Sequence, residues 1–154
     1  MTTLRAAAVW YARLGFAVVP EVDKRPQVRT IPLRDNPATP EQVDQWWAEH
    51  PDHNVGILTG RPSGVIVIDA DDDDAIAMIV ASLPFTPWQA TSGRGRHFGF
   101  AYPGCEVKTR TRIGCRAKPG STDHGECYAG GSWCRVDLLG DGGKATMPPS
   151  VQDR

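Results

Sequence analysis

Asp69 and Asp71 are the residues whose chemistry is easiest to read. They close the apolar run Val65-Ile66-Val67-Ile68, which has the character of a buried strand. Side chains alternate along a strand, so Asp69 and Asp71 point to the same side. Two carboxylates held that close repel, and each raises the other's pKa unless a cation lies between them. Hard ions such as Mg²⁺ or Mn²⁺ suit oxygen donors of this kind. The competing reading is a solvated acidic turn that caps the next helix. Asp72, Asp73 and Asp74 fit that reading and are assigned no chemistry.

Two further segments carry chemistry. In Thr91-Ser92-Gly93-Arg94-Gly95-Arg96-His97 the glycines let backbone N–H groups approach an anion. Arg94 and Arg96 add charge there, and His97 opens the next strand, where it could donate to a phosphate. The glycine spacing is not a dinucleotide fingerprint, and no helix follows. An ordinary hairpin turn is the alternative. In Cys134-Arg135-Val136-Asp137-Leu138-Leu139, Asp137 sits mid-strand among apolar residues. A lone acid there is costly to bury unless paired or bound to a metal. Otherwise it faces solvent or pairs with Arg135. The following Gly140-Asp141-Gly142-Gly143-Lys144 lacks the P-loop spacing and has Ala145 where a hydroxyl is needed, which excludes a P-loop ATPase.

Lys108, Arg110, Arg112, Arg116 and Lys118 share one parity. On an extended segment they would form one basic face for a nucleic-acid backbone, or equally a solvated strand face. Cys105, Cys115, Cys127 and Cys134 lack any Cys-x-x-Cys knuckle. With His124 they could hold zinc, although buried reduced thiols are the expectation.

These residues must be positioned by a mixed set of elements. The spacing of Leu4, Ala7, Ala8, Tyr11 and Leu14 predicts a helix over 3–14, capped by Gly15. A short strand, 16–19, is closed by Pro20. The proline-rich, charged stretch 21–37 reads as a loop or ragged hairpin. Thr39, Pro40 and Gln42 announce a second helix by a capping box, ending before Pro51. Strands are expected at 54–59, 65–68, 88–91, 97–102, 135–139 and 144–147, with a helix at 72–83 and an extended segment at 107–117. Hairpin connections favour an α+β fold with antiparallel neighbours over a doubly wound sheet.

The chain has 154 residues, enough for one domain with an ordinary core. Hydrophobic residues at 40% and charged residues at 23% are those of a globular protein. No apolar run is long enough for a membrane helix, and the N-terminus is a poor signal peptide, so a cytoplasmic location is expected. The net charge of −1 does not exclude a nucleic-acid enzyme, since only the groove that holds phosphates must be basic.

Taken together and in order, these segments resemble the archaeo-eukaryotic primase superfamily. Its pattern of hydrophobic-Asp-x-Asp, small-x-His and hydrophobic-Asp is matched by Ile68-Asp69-Ala70-Asp71, Gly95-Arg96-His97 and Val136-Asp137. The chain is most similar to the bifunctional primase/polymerase (Prim-Pol) branch. Tyr11 to Phe16, Lys24-Arg25-Pro26, Trp46-Trp47 with Pro51, Asn54-Val55-Gly56, Thr59 to Gly64, Gly140 to Gly143 and Pro148 to Ser150 match it in sequence order. Arginines at 94 and 96 depart from the branch's usual Ser-Gly-Gly, and residues 117–133 form a longer connection than usual.

The resemblance implies a small N-terminal α/β part, about 1–50, packed on a catalytic part, 54–150, with a sheet like that of an RNA-recognition motif. It implies template-directed nucleotidyl transfer from dNTP or NTP to a 3′-hydroxyl on a DNA template and primer. Asp69, Asp71 and Asp137 would hold two Mg²⁺ or Mn²⁺ ions, and His97 would contact the triphosphate with Arg94, Arg96 and Lys24 nearby. Relatives of this kind occur in phages and plasmids of bacterial or archaeal hosts and commonly continue into a helicase, so this chain reads as a fragment of a longer replication protein. A metal-dependent phosphohydrolase or nuclease, and a non-catalytic nucleic-acid-binding module, are the competing functions.

Overall fold

The computed structural model describes residues 3–93, 95–113 and 135–151. The chain runs α1 (Leu4–Arg13), β1 (Val18–Val22), β2 (Arg25–Pro26), a 3-10 turn (Pro32–Arg34), α2 (Pro40–Glu49), β3 (Asn54–Leu58) and β4 (Val65–Ala70). It continues through α3 (Asp73–Ser82), β5 (Gln89–Thr91), β6 (Arg96–Ala101), β7 (Val136–Leu139) and β8 (Lys144–Met147). The strands form two four-stranded sheets, ordered β2-β1-β3-β8 and β5-β6-β4-β7. Every ladder between these strands is antiparallel, as the α+β expectation requires.

The helices start where their caps allow. The Thr3 hydroxyl accepts from the Ala6 N–H at the head of α1, and Thr39 with Gln42 makes a reciprocal capping box on α2. Each helix then buries one stripe: Ala7, Ala8, Tyr11 and Ala12 on α1, Val43 and Trp47 on α2. These stripes meet Val18, Val55, Ile57, Ala145 and Met147 of the first sheet, and Val67 of β4 joins the same core. Trp47 is 1% exposed and donates its indole N–H to the His53 carbonyl at 2.7 Å. A buried ring of that size is worth about 3–5 kcal/mol against truncation to alanine.

α3 covers the opposite face of the second sheet. Ala75 and Ile79 pack with Ala70, Phe98 and Val136. β4 therefore serves two cores by alternation: Val67 faces the joint core with α1 and α2, and Ala70 faces α3. Asp69 continues the Val67 side at the end of the strand.

Two local expectations change, at β1 and β4. β1 lies later than expected and runs through Pro20 instead of ending there. An amide and a carbonyl of one residue point to the same neighbour, and the Pro20 carbonyl accepts from Gln27 on the β2 side. That ladder is only two pairs long, so the missing N–H falls at its frayed end. The stretch 21–37, read as a loop or ragged hairpin, holds a tight hairpin at Val22 to Arg25 and a 3-10 turn at Pro32–Arg34. β4 extends to Ala70, which brings Asp69 inside the ladder. No helix among the described residues is long and apolar enough to cross a membrane.

Candidate active site

Strand register gathers the acids. Asp69 of β4 stands opposite His97 of β6 on one side and Asp137 of β7 on the other. Directly opposed residues share a face of the sheet, so His97, Asp69 and Asp137 form a row across three strands. The next row on that face holds Asp71, whose backbone N–H donates to the Arg135 carbonyl at 2.9 Å. Residues distant in the chain thus meet through backbone pairing alone.

His97 is buried, and its Nε2 lies 3.3 Å from Asp69 Oδ1. The approach is not aligned for a hydrogen bond: Asp69 Oδ1 is buried with no hydrogen-bond partner. A buried carboxylate oxygen without a donor is costly, and a cation would relieve the cost. Asp71 carries the matching electrostatic signature. Burial pushes its carboxyl above the ordinary range, and the charges of Asp69 and Asp137 push it the same way. Lys24 and Arg135 pull it back. Asp137 Oδ1 accepts from the Arg112 N–H at 2.7 Å, which fixes one oxygen of the third acid. Among the described residues, no three acid, histidine or cysteine side chains stand close enough to ligate an ion as they are. The orphaned Asp69 oxygen and the mutual repulsion of the acids are what a divalent cation beside them would relieve.

The approach of the His97 turn explains a motif glycine. A Cβ on Gly95 would lie 1.7 Å from the Ala70 carbonyl oxygen and 2.9 Å from Asp71 Cα. Only a glycine lets the turn press this tightly on the backbone between the two acids. Gly93, two residues earlier, has open space around it.

Lys24, on the first sheet, lies near enough for its charge to act on Asp71. Asp23 and Lys24 occupy the hairpin tip with φ of 48° and 62°. Such a two-residue turn normally selects Asn-Gly or Asp-Gly, so a lysine in the left-handed region is held at some conformational cost. Its charge stabilises ionised Asp71. Arg135, not singled out by motif, faces Asp71 across the β4–β7 edge, and its Nε lies 3.0 Å from Asp72 Oδ2. Its two-residue spacing from Asp137 was the available signal. Asp72 itself caps α3 through the Ala75 N–H, as the simpler reading of that acid expects.

Other expected site residues are not brought to this row. Arg96 stands opposite Ala70, on the α3 face. Its guanidinium lies 6.0 Å from the Phe98 ring centroid and 3.3 Å from Gln89 Oε1, away from His97's side of the sheet. Arg110 exchanges backbone bonds with Leu138 and so adds an edge to β7, while Lys108 bridges Asp141 and lies 3.8 Å from Glu106. Arg112 has φ of 50°, which ends the extended alternation on which a single basic face depends. Cys105 is an exposed free thiol. Arg94, Cys115, Arg116, Lys118, His124, Cys127 and Cys134 lie outside the described residues.

The Gly140–Gly143 turn is structural and sits at the opposite end of β4. Asp141 accepts from the Tyr102 hydroxyl at 2.8 Å, the Val107 N–H at 2.9 Å and the Arg61 N–H at 3.0 Å. A Cβ on Gly60 would collide with Asp141. The turn ties both sheets together and takes no part in the acid row.

A search of curated proteins gave no match. The family model for the N-terminal domain of bifunctional DNA primase/polymerases (Prim-Pol) matches residues 8–154, nearly the whole chain. With that coverage, the chain belongs to the Prim-Pol family of DNA primase/polymerases.

Proposed function

We propose that the chain is a template-directed nucleotidyltransferase that adds nucleotides to a DNA primer at the acid end of the second sheet. The observation that carries this reading is the row His97–Asp69–Asp137, with Asp71 beside it and one buried Asp69 oxygen unpartnered. Carboxylates gathered on one face of a sheet repel unless cations lie between them, and two-metal phosphoryl transfer is a chemistry that uses such ions. Asp69, Asp71 and Asp137 would hold Mg²⁺ or Mn²⁺. When bound, the ions supply a more acidic 3′-hydroxyl and charge compensation at the leaving pyrophosphate.

The chain's own groups do the rest by position. His97 is fixed by burial beside Asp69, where its imidazole can donate to a phosphate oxygen of the incoming nucleotide. Lys24 and Arg135 flank Asp71 and supply positive charge for the same phosphates. In this reading the primer's 3′-hydroxyl is the nucleophile, so the row contributes orientation and electrostatic stabilisation. DNA, a primer end and nucleoside triphosphates are the substrates this reading assigns, and the helicase and cytoplasmic location expected above belong to it as proposals.

The test is extension of a labelled primer on a template with dNTPs and either Mg²⁺ or Mn²⁺. Asp69→Asn, Asp71→Asn and Asp137→Asn should each lower the rate by about 10³ or more, because each removes a negative donor that would hold the cations at the anionic reacting centre. Full activity of Asp69→Asn would overturn the assignment. Degradation of the DNA without incorporation would assign the site to a nuclease instead.

A further inference from the structure

The least expected buried group is Glu21, 1% exposed, at the end of β1. One carboxylate oxygen pairs with the Lys144 ammonium, and the other accepts from the Thr146 hydroxyl at 2.7 Å. Gly56 makes the room: a Cβ there would lie 2.0 Å from Glu21 Oε1. The carboxylate thus crosses β3 and binds β8, joining three neighbouring strands through one side chain.

A buried ion pair of this kind gains little stability over a well-packed apolar pair, because both charges must leave water. What it can supply is a fixed geometry. The element that follows Glu21 needs one. β2 pairs with β1 at only two positions, Glu21↔Pro26 and Val22↔Arg25, and one further backbone bond, from Gln27 to Pro20, closes the hairpin. So short a ladder cannot hold its own tip in place. The pose of Lys24 is set by the root of the hairpin, and Glu21 is that root.

We propose that the Glu21–Lys144 pair, with Thr146, is a positioning device that holds the Val22–Arg25 hairpin so that Lys24 faces the acid row and meets the phosphates of the incoming nucleotide. The proposal rests on the nucleotidyltransferase reading for the role of Lys24, while the positioning itself is a claim about the hairpin. Lys144 also neutralises Glu21, so the carboxylate does not compete with the nucleotide for the Lys24 ammonium. Neither Glu21 nor Lys144 touches substrate.

The experiment compares the intact chain with Lys24→Met, with the double change Glu21→Met and Lys144→Met, and with all three together. Exchanging both charges leaves no uncompensated ion. Expected is a folded double variant that melts no lower than the parent. Its KM for dNTP in primer extension should rise about tenfold while kcat stays within about twofold. Lys24→Met should show a similar rise, and the triple variant no further one, because both act through the same ammonium. Glu21→Gln keeps the side-chain shape and the Thr146 bond, and should shift KM in the same direction by less. Parental KM in the double variant, or KM increases that multiply in the triple, would overturn the proposal. Should the parent chain fail to extend primers, the functional reading falls, and amide exchange decides the positioning claim alone. The Gln27 N–H should exchange about tenfold faster in the double variant, and unchanged protection would refute it.

Discussion

Gly95→Ala is the sharpest probe of how the acid row is built. The added methyl would sit 1.7 Å from the Ala70 carbonyl oxygen. A carbon and a carbonyl oxygen settle no closer than about 3.3 Å, so the turn or the end of β4 must retreat by about 1.5 Å. The obstacle is backbone, which cannot swing aside as a side chain can. Overpacking of this kind costs about 1–3 kcal/mol, which for a chain of this length lowers Tm by roughly 2–12 °C. Function should suffer more than folding. A catalytic constellation tolerates about 0.5 Å, and a misplacement of about 1 Å can lower a rate 10²-fold. Primer extension by Gly95→Ala should therefore fall about 10²-fold or more while the protein still unfolds cooperatively in urea. Gly93→Ala is the control, since nothing lies within 4 Å of its added methyl. Equal activity in the two variants would refute the account of the turn pressing on the acid pair.

Two further predictions follow from the electrostatics and the sheet faces. Asp71 has its pKa raised by burial and by Asp69 and Asp137, so the folded chain binds its proton more tightly than the unfolded chain does. Its ionisation therefore removes stability as pH rises through the folded value, and the loss disappears below the ordinary value of 3.8. Asp71→Asn should raise the melting temperature of the metal-free protein at neutral pH, with a gain that shrinks towards acid pH and a lost response to added Mn²⁺. Thermal melts across pH check it, and a destabilised Asp71→Asn at neutral pH would contradict it. Arg96→Met and His97→Ala separate the two faces of β6: the histidine change should raise KM for dNTP about tenfold or more, the arginine change less than about twofold. Steady-state kinetics decides, and equal effects would mean that both side chains reach the nucleotide.

That Asp69 and Asp71 share a face was legible, because side chains alternate along an apolar strand run. Thr39 and Gln42 announced α2 by the same directness, since a capping box is local chemistry. Register was not legible. Nothing in Arg96-His97 or Val136-Asp137 says which residue stands opposite Asp69, and a shift by one residue would have put Arg96 on the acid face and His97 under α3. Pro20 misled because its missing N–H reads as a strand stop, whereas here it faces the frayed end of a two-pair ladder. Glu21 and Lys144 were invisible for a different reason. Charged residues default to the surface, and the cavity that admits them is made by a glycine on another strand.

β4 lies between β6 and β7, so it has a hydrogen-bonded neighbour along both edges. Its backbone can open only if two ladders break at once, whereas β5 peels away at the loss of one. Asp69 is thus carried by one of the two interior strands of the second sheet, His97 comes from the other, β6, and Asp137 comes from β7 on the far side of β4. The connections that lead into β6 and β7 can therefore change in length without moving the central carboxylate, which serves as a fixed datum against which the other groups take their distance.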